Sequence, residues 1–96
     1  MIDSVIAKFV AVIDVAIAEA LLVSEDAKQA QIEWLEEDAL LVKSNFEQIK
    51  SELLSGTLAK SAGAGLGITR TISEMGLPDR LYHAGKKVED FYINHW

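Results

Sequence analysis

The chain has 96 residues, half of them hydrophobic, and a net charge of −6: one domain with more apolar side chain than so small a core easily buries. The absence of cysteine excludes disulfides and thiolate metal sites, and it fits the expected cytoplasmic location. Residues 1–56 hold eleven acids and four bases (−7) and residues 57–96 four acids and five bases (+1), a balance that argues against non-specific nucleic-acid binding.

The first predicted helix covers residues 2–23. Ile2, Ile6, Phe9, Ile13, Ala16, Ala20 and Val23 step by four and three, the spacing of a helix face rather than a strand. Val5, Val12 and Ile17 widen that surface, leaving a narrow strip of Asp3, Ala7, Ala11, Asp14 and Ala18. A helix this apolar is expected at the centre of a bundle, covered on most sides. Its charge-free runs reach only five residues, and Asp3 and Asp14 interrupt it. Neither a signal peptide nor a spanning helix of roughly 20 apolar residues is expected.

The second predicted helix covers 25–55 on a heptad seam of Ile32, Leu35, Ala39, Val42, Phe46, Ile49 and Leu53. Val42, Phe46 and Ile49 are its expected helix-packing residues. The seam is out of phase with the first, which places a break between Val23 and Ile32. Ser24 offers an N-cap, and Glu25 and Asp26 suit a first turn. One bent helix through residue 55 is the alternative, because no Gly or Pro precedes Gly56. A helix over 25–55 would be about 45 Å long, so the molecule is expected to be elongated.

On this helix Glu33, Glu36, Glu37 and Asp38 have no Lys or Arg three or four residues away. Trp34 and Leu41 lie off the seam beside them. An aromatic anchor with a charged rim is the pattern of a partner-binding strip; a solvated acidic face is the plainer alternative. Arg70, Arg80, Lys86 and Lys87 could meet the strip within the chain or across a dimer.

Gly56 ends the second helix, and a third is predicted over 57–75 with Leu58, Leu66, Ile68, Ile72 and Met75 apolar. Three of the six glycines fall at 63, 65 and 67. A phosphate loop aligned on Lys60–Ser61 would put Leu54 and Ala59 where glycines belong, and a dinucleotide fingerprint would put Ile68 at its third glycine. Both readings fail. Ala59, Gly63 and Gly67, spaced by four, instead predict a small-residue stripe for close helix packing. A glycine-rich loop with the helix starting near Ile68 is the alternative.

Gly76, Pro78 and Asp79 mark a boundary, followed by a fourth helix over 78–95. Its apolar face holds Leu81, Ala84, Gly85, Val88, Phe91 and Tyr92. The aromatic stretch 91–96 is expected to dock on the other helices. His83 and His95 are the only histidines, and Asp79 with His83 is at most half a metal site. No serine sits in a nucleophile elbow.

The reading is an all-α, single domain over 1–96, an elongated bundle of about four helices with a long helical hairpin. No enzyme activity, metal or cofactor is expected. It is expected to act by protein–protein association, as an adaptor, small chaperone, assembly subunit or inhibitor or immunity type. A partner with a basic surface and self-association into a homo-oligomer are both anticipated. The alternative is a membrane-surface protein using the first helix and the Gly-rich segment 61–69, disfavoured because only Lys8 faces anionic headgroups. No motif is specific enough to carry a family resemblance.

Overall fold

The structure, a computed structural model, describes residues 3–96. Among these residues every regular element is helical: α1 (Ser4–Gln29), α2 (Glu33–Ser55), α3 (Ile68–Met75) and α4 (Asp79–His95). The expected all-α bundle is what forms. Ile2, the first residue of the predicted seam, lies outside the described residues. α1 and α2 make the long antiparallel hairpin, α1 also packs along α4, and α3 packs on α4. The molecule measures 43 × 26 × 19 Å, elongated as the helix lengths require. No described helix is long and apolar enough to cross a membrane.

The break between the first two helices falls later than predicted. Ser24 does not cap α2; it lies buried inside α1, where its hydroxyl donates to the Leu21 carbonyl at 2.7 Å. The seam Phe9, Ile13, Ala16, Ala20, Val23 gains one more buried step at Ala27, and that burial carries the helix past residue 24. α1 stops where Gln31 turns left-handed at φ 60, with Gln31 N–H on the Lys28 carbonyl and Ile32 N–H on that of Ala27. This is the Schellman arrangement. Gly56 and Gly76 close α2 and α3 with the same bond pattern. α2 therefore starts at Glu33, not 25, and its 23 residues span about 35 Å.

The third helix is shorter than predicted, because residues 57–67 are irregular. Ala62, Gly63 and Gly67 take φ of 47, 88 and 75, a left-handed backbone that interrupts any helix. The expected packing stripe of Ala59, Gly63 and Gly67 is thus not a stripe. Nothing lies within 4 Å of where a Cβ on Gly63 or Gly67 would sit. Close helix approach occurs at Gly85 of α4 instead, where an added Cβ would meet Ile72 Cδ1 at 2.6 Å and Ile68 Cγ2 at 3.3 Å.

Val42, Phe46 and Ile49 are buried on the seam of α2, as expected of packing residues. Phe9 anchors the other end of the core against Phe91, Tyr92 and Trp96, with ring centroids 4.9, 6.4 and 6.1 Å away. The aromatic end of the chain docks as expected. It also pins the irregular segment: Tyr92 Oη donates to the Ala59 carbonyl at 2.7 Å and Trp96 Nε1 to that of Leu58 at 3.1 Å.

Candidate functional site

Beside its buried seam, α2 carries a second row at the same four–three spacing: Trp34, Asp38, Leu41, Asn45, Gln48 and Glu52. Residues so spaced share one face of a helix. Trp34, Leu41, Asn45 and Gln48 are exposed, while Asp38 and Glu52 are half-buried. Trp34 keeps 55% of its surface and Leu41 52%, large values for the two apolar members of one row. The row runs about 27 Å along the helix. Toward its C-terminal end it forms one wall of a cleft of ≈ 250 Å³ whose other wall is Leu66, Ile68, Thr71 and Ile72. Val42 and Ile49 reach the cleft floor from the seam.

The structure places the six predicted partner-binding residues on the first two and a half turns of α2. Trp34, Leu41 and Asp38 lie on the open row and Glu37 borders it. Glu33 stands about 100° round the helix from the row and Glu36 about 160°, on its far side, so the predicted strip is not one face. None of the four acids has a cation within 4.0 Å among the described residues. The lysines of α2 are engaged elsewhere, Lys43 with Glu47 and Lys50 with Asp14 of α1. None of the four basic residues meets the strip within the chain: Arg70 pairs with Glu74, Arg80 with Glu19 and Asp26, Lys86 with Asp90, and Lys87 is exposed with no carboxylate within 4.0 Å among the described residues. Glu33 and Glu36 sit in the first turn of α2, whose cap residue Ile32 provides no side-chain hydrogen bond. The helix dipole favours acids there. That accounts for two of the four carboxylates and not for Glu37, Asp38 or the exposed indole.

Asn45, Gln48 and Glu52 were not singled out from sequence, although they continue the row from Trp34 at unbroken four–three steps. The buried seam was legible, but that the row one residue before it stays open depends on where α1 and α3 lie, which periodicity along α2 does not state. The α3 wall was hidden by the misplaced start of that helix.

The glycine-rich segment has a different task. Glu89 of α4 inserts its carboxylate at the start of α3, Oε1 accepting from Ile68 N–H at 2.8 Å and Thr69 N–H at 3.2 Å. α3 has no side-chain cap of its own, so Glu89 supplies one from 21 residues away. Gly65 makes room: a Cβ there would stand 2.7 Å from Glu89 Oε2. The segment cradles an anion, and the anion is the chain's own. Among the described residues no three His, Asp or Glu converge to hold a metal ion.

No protein-family model, curated protein or solved structure matches the chain.

Proposed function

We propose that the chain is a non-enzymatic protein-binding module that docks a basic amphipathic helix of a partner along the open face of α2. The observation that carries this is the uncovered row from Trp34 to Glu52, apolar at one end, cleft-backed at the other, and bordered by carboxylates without cations. A helix is the occupant because ridges at four–three spacing accept another helix's ridges. No described residue belongs to a strand, so an extended peptide finds no sheet edge to join. Apolar anchors would fill the cleft over Val42, Ile49 and Ile72, while Lys or Arg would meet Glu37 and Asp38. A second copy fits this face poorly, since α2 would bring its own acids and no free cation. Adaptor, small chaperone, assembly subunit and inhibitor are the roles this mode of action serves.

A synthetic 20-residue helix with Leu at the heptad core positions and Lys flanking them tests the reading, beside a counterpart with Glu in place of Lys. Amide shifts of the labelled full chain should change at residues 34–52 and 66–72 with the basic peptide only. Glu37→Gln with Asp38→Asn, both beyond the first turn, should weaken it about fivefold. Equal binding of the acidic peptide, or shifts elsewhere on the molecule, would refute it.

A further inference from the structure

The face of α1 turned away from the core carries its own row at three–four spacing: Lys8, Ala11, Val15, Ala18, Leu22 and Glu25. All six are exposed, Val15 to 54% and Leu22 to 45%. The outward face of a bundle helix is ordinarily polar. Here the four central positions are apolar and only the ends are charged. Neighbouring helices stop short on either side. α2 holds the flank marked by Asp14, which meets Lys50 at 2.7 Å. α4 holds the flank marked by Glu19 and Asp26, which meet Arg80 at 3.7 and 2.7 Å.

We infer that a second copy of the chain covers this face, with the two α1 helices antiparallel about a twofold axis between residues 16 and 17. The row is self-complementary under that operation. Ala11 falls opposite Leu22 of the partner subunit and Val15 opposite Ala18, so a small side chain meets a large one at each step. Lys8 falls opposite Glu25 of the partner subunit, and neither residue has an ion-pair partner among the described residues. A parallel pairing would set Lys8 on Lys8, Glu25 on Glu25 and Leu22 on Leu22, stacking like charges and leaving gaps at the alanines. Charge and size both select the antiparallel form. One helix pair about 26 Å long buries less than a standard interface, so the dimer is weak, with a Kd of roughly micromolar or higher.

The chain has no cysteine, which makes orientation directly testable. Ala11→Cys and Leu22→Cys chains, mixed and mildly oxidised, should form a disulfide heterodimer, and neither should cross-link with itself. A self-linked Ala11→Cys dimer would signal parallel pairing and overturn the inference. In sedimentation velocity the parent mass should rise from 10.5 kDa toward twice that value as concentration rises to about 1 mM. Leu22→Glu should raise the dimer Kd at least about tenfold. Lys8→Glu and Glu25→Lys should each weaken pairing, and the doubly exchanged chain should regain it. A parent that stays at one-chain mass throughout, or a double exchange that rescues nothing, would also overturn it. These residues are exposed and lie outside every core contact, so the variants keep the fold.

Discussion

Two single residues hold positions that their types do not advertise. Gln31 takes the left-handed stop at the end of α1, a conformation that costs a residue with a Cβ about 1 kcal/mol relative to glycine. Gln31→Gly should therefore stabilise the protein by roughly 0.5–1 kcal/mol in a urea melt, despite the looser unfolded chain. No change, or destabilisation, would mean the Gln side chain makes a compensating contact. Glu89 is the converse case, an ordinary surface residue on α4 by sequence that closes the start of α3 by two N–H bonds. Glu89→Ala should cost about 2 kcal/mol, and Glu89→Gln less than about 1 because one acceptor oxygen survives. Amide exchange should speed up first at Ile68 and Thr69. Uniform loss of protection across the chain would show that the carboxylate supports the whole fold, not one helix end.

At the level of elements, periodicity carried most of what could be read. The seams of α1 and α2 and the apolar face of α4 were legible because each residue's burial is set by neighbours three and four away. Helix ends were legible at Gly56 and Gly76 and misread at 24–31, where no glycine marks the stop and Ser24 mimics a cap. The 57–67 segment was misread for a related reason: Ala59, Gly63 and Gly67 keep helical spacing, but the cap that decides the local conformation comes from Glu89, far along the chain. Two glycines now separate the roles. Gly85→Leu drives a side chain into Ile72 and should cost about 3 kcal/mol or more. Gly63→Leu meets open space and pays only for its backbone, about 1–2 kcal/mol. A denaturation series giving the two variants equal losses would place a close helix crossing back at Gly63. Phe46→Ala, which empties the α1–α2 seam, should cost about 3–5 kcal/mol.

For the whole molecule the consequence lies in how its two exposed rows are arranged. The row from Trp34 to Glu52 belongs to α2 and opens toward α3; the row from Lys8 to Glu25 belongs to α1 and faces away from the core. They share no residue. A dimer built on α1 would therefore leave both α2 faces free, and two tethered partner helices would bind it more tightly than one by raising each other's effective concentration. The two surfaces should accordingly be separable by mutation. Leu22→Glu should yield a monomer that still binds the single basic peptide with the parent's Kd, but loses the advantage of a peptide linked in tandem. Trp34→Ala should bind neither peptide form well and should dimerise as the parent does. Calorimetric titrations of both variants, with single and tandem peptides, supply the four comparisons. If Leu22→Glu also weakened the single peptide, or Trp34→Ala also shifted the dimer mass, the rows would be one interface and the antiparallel α1 pairing would have to be rebuilt around α2.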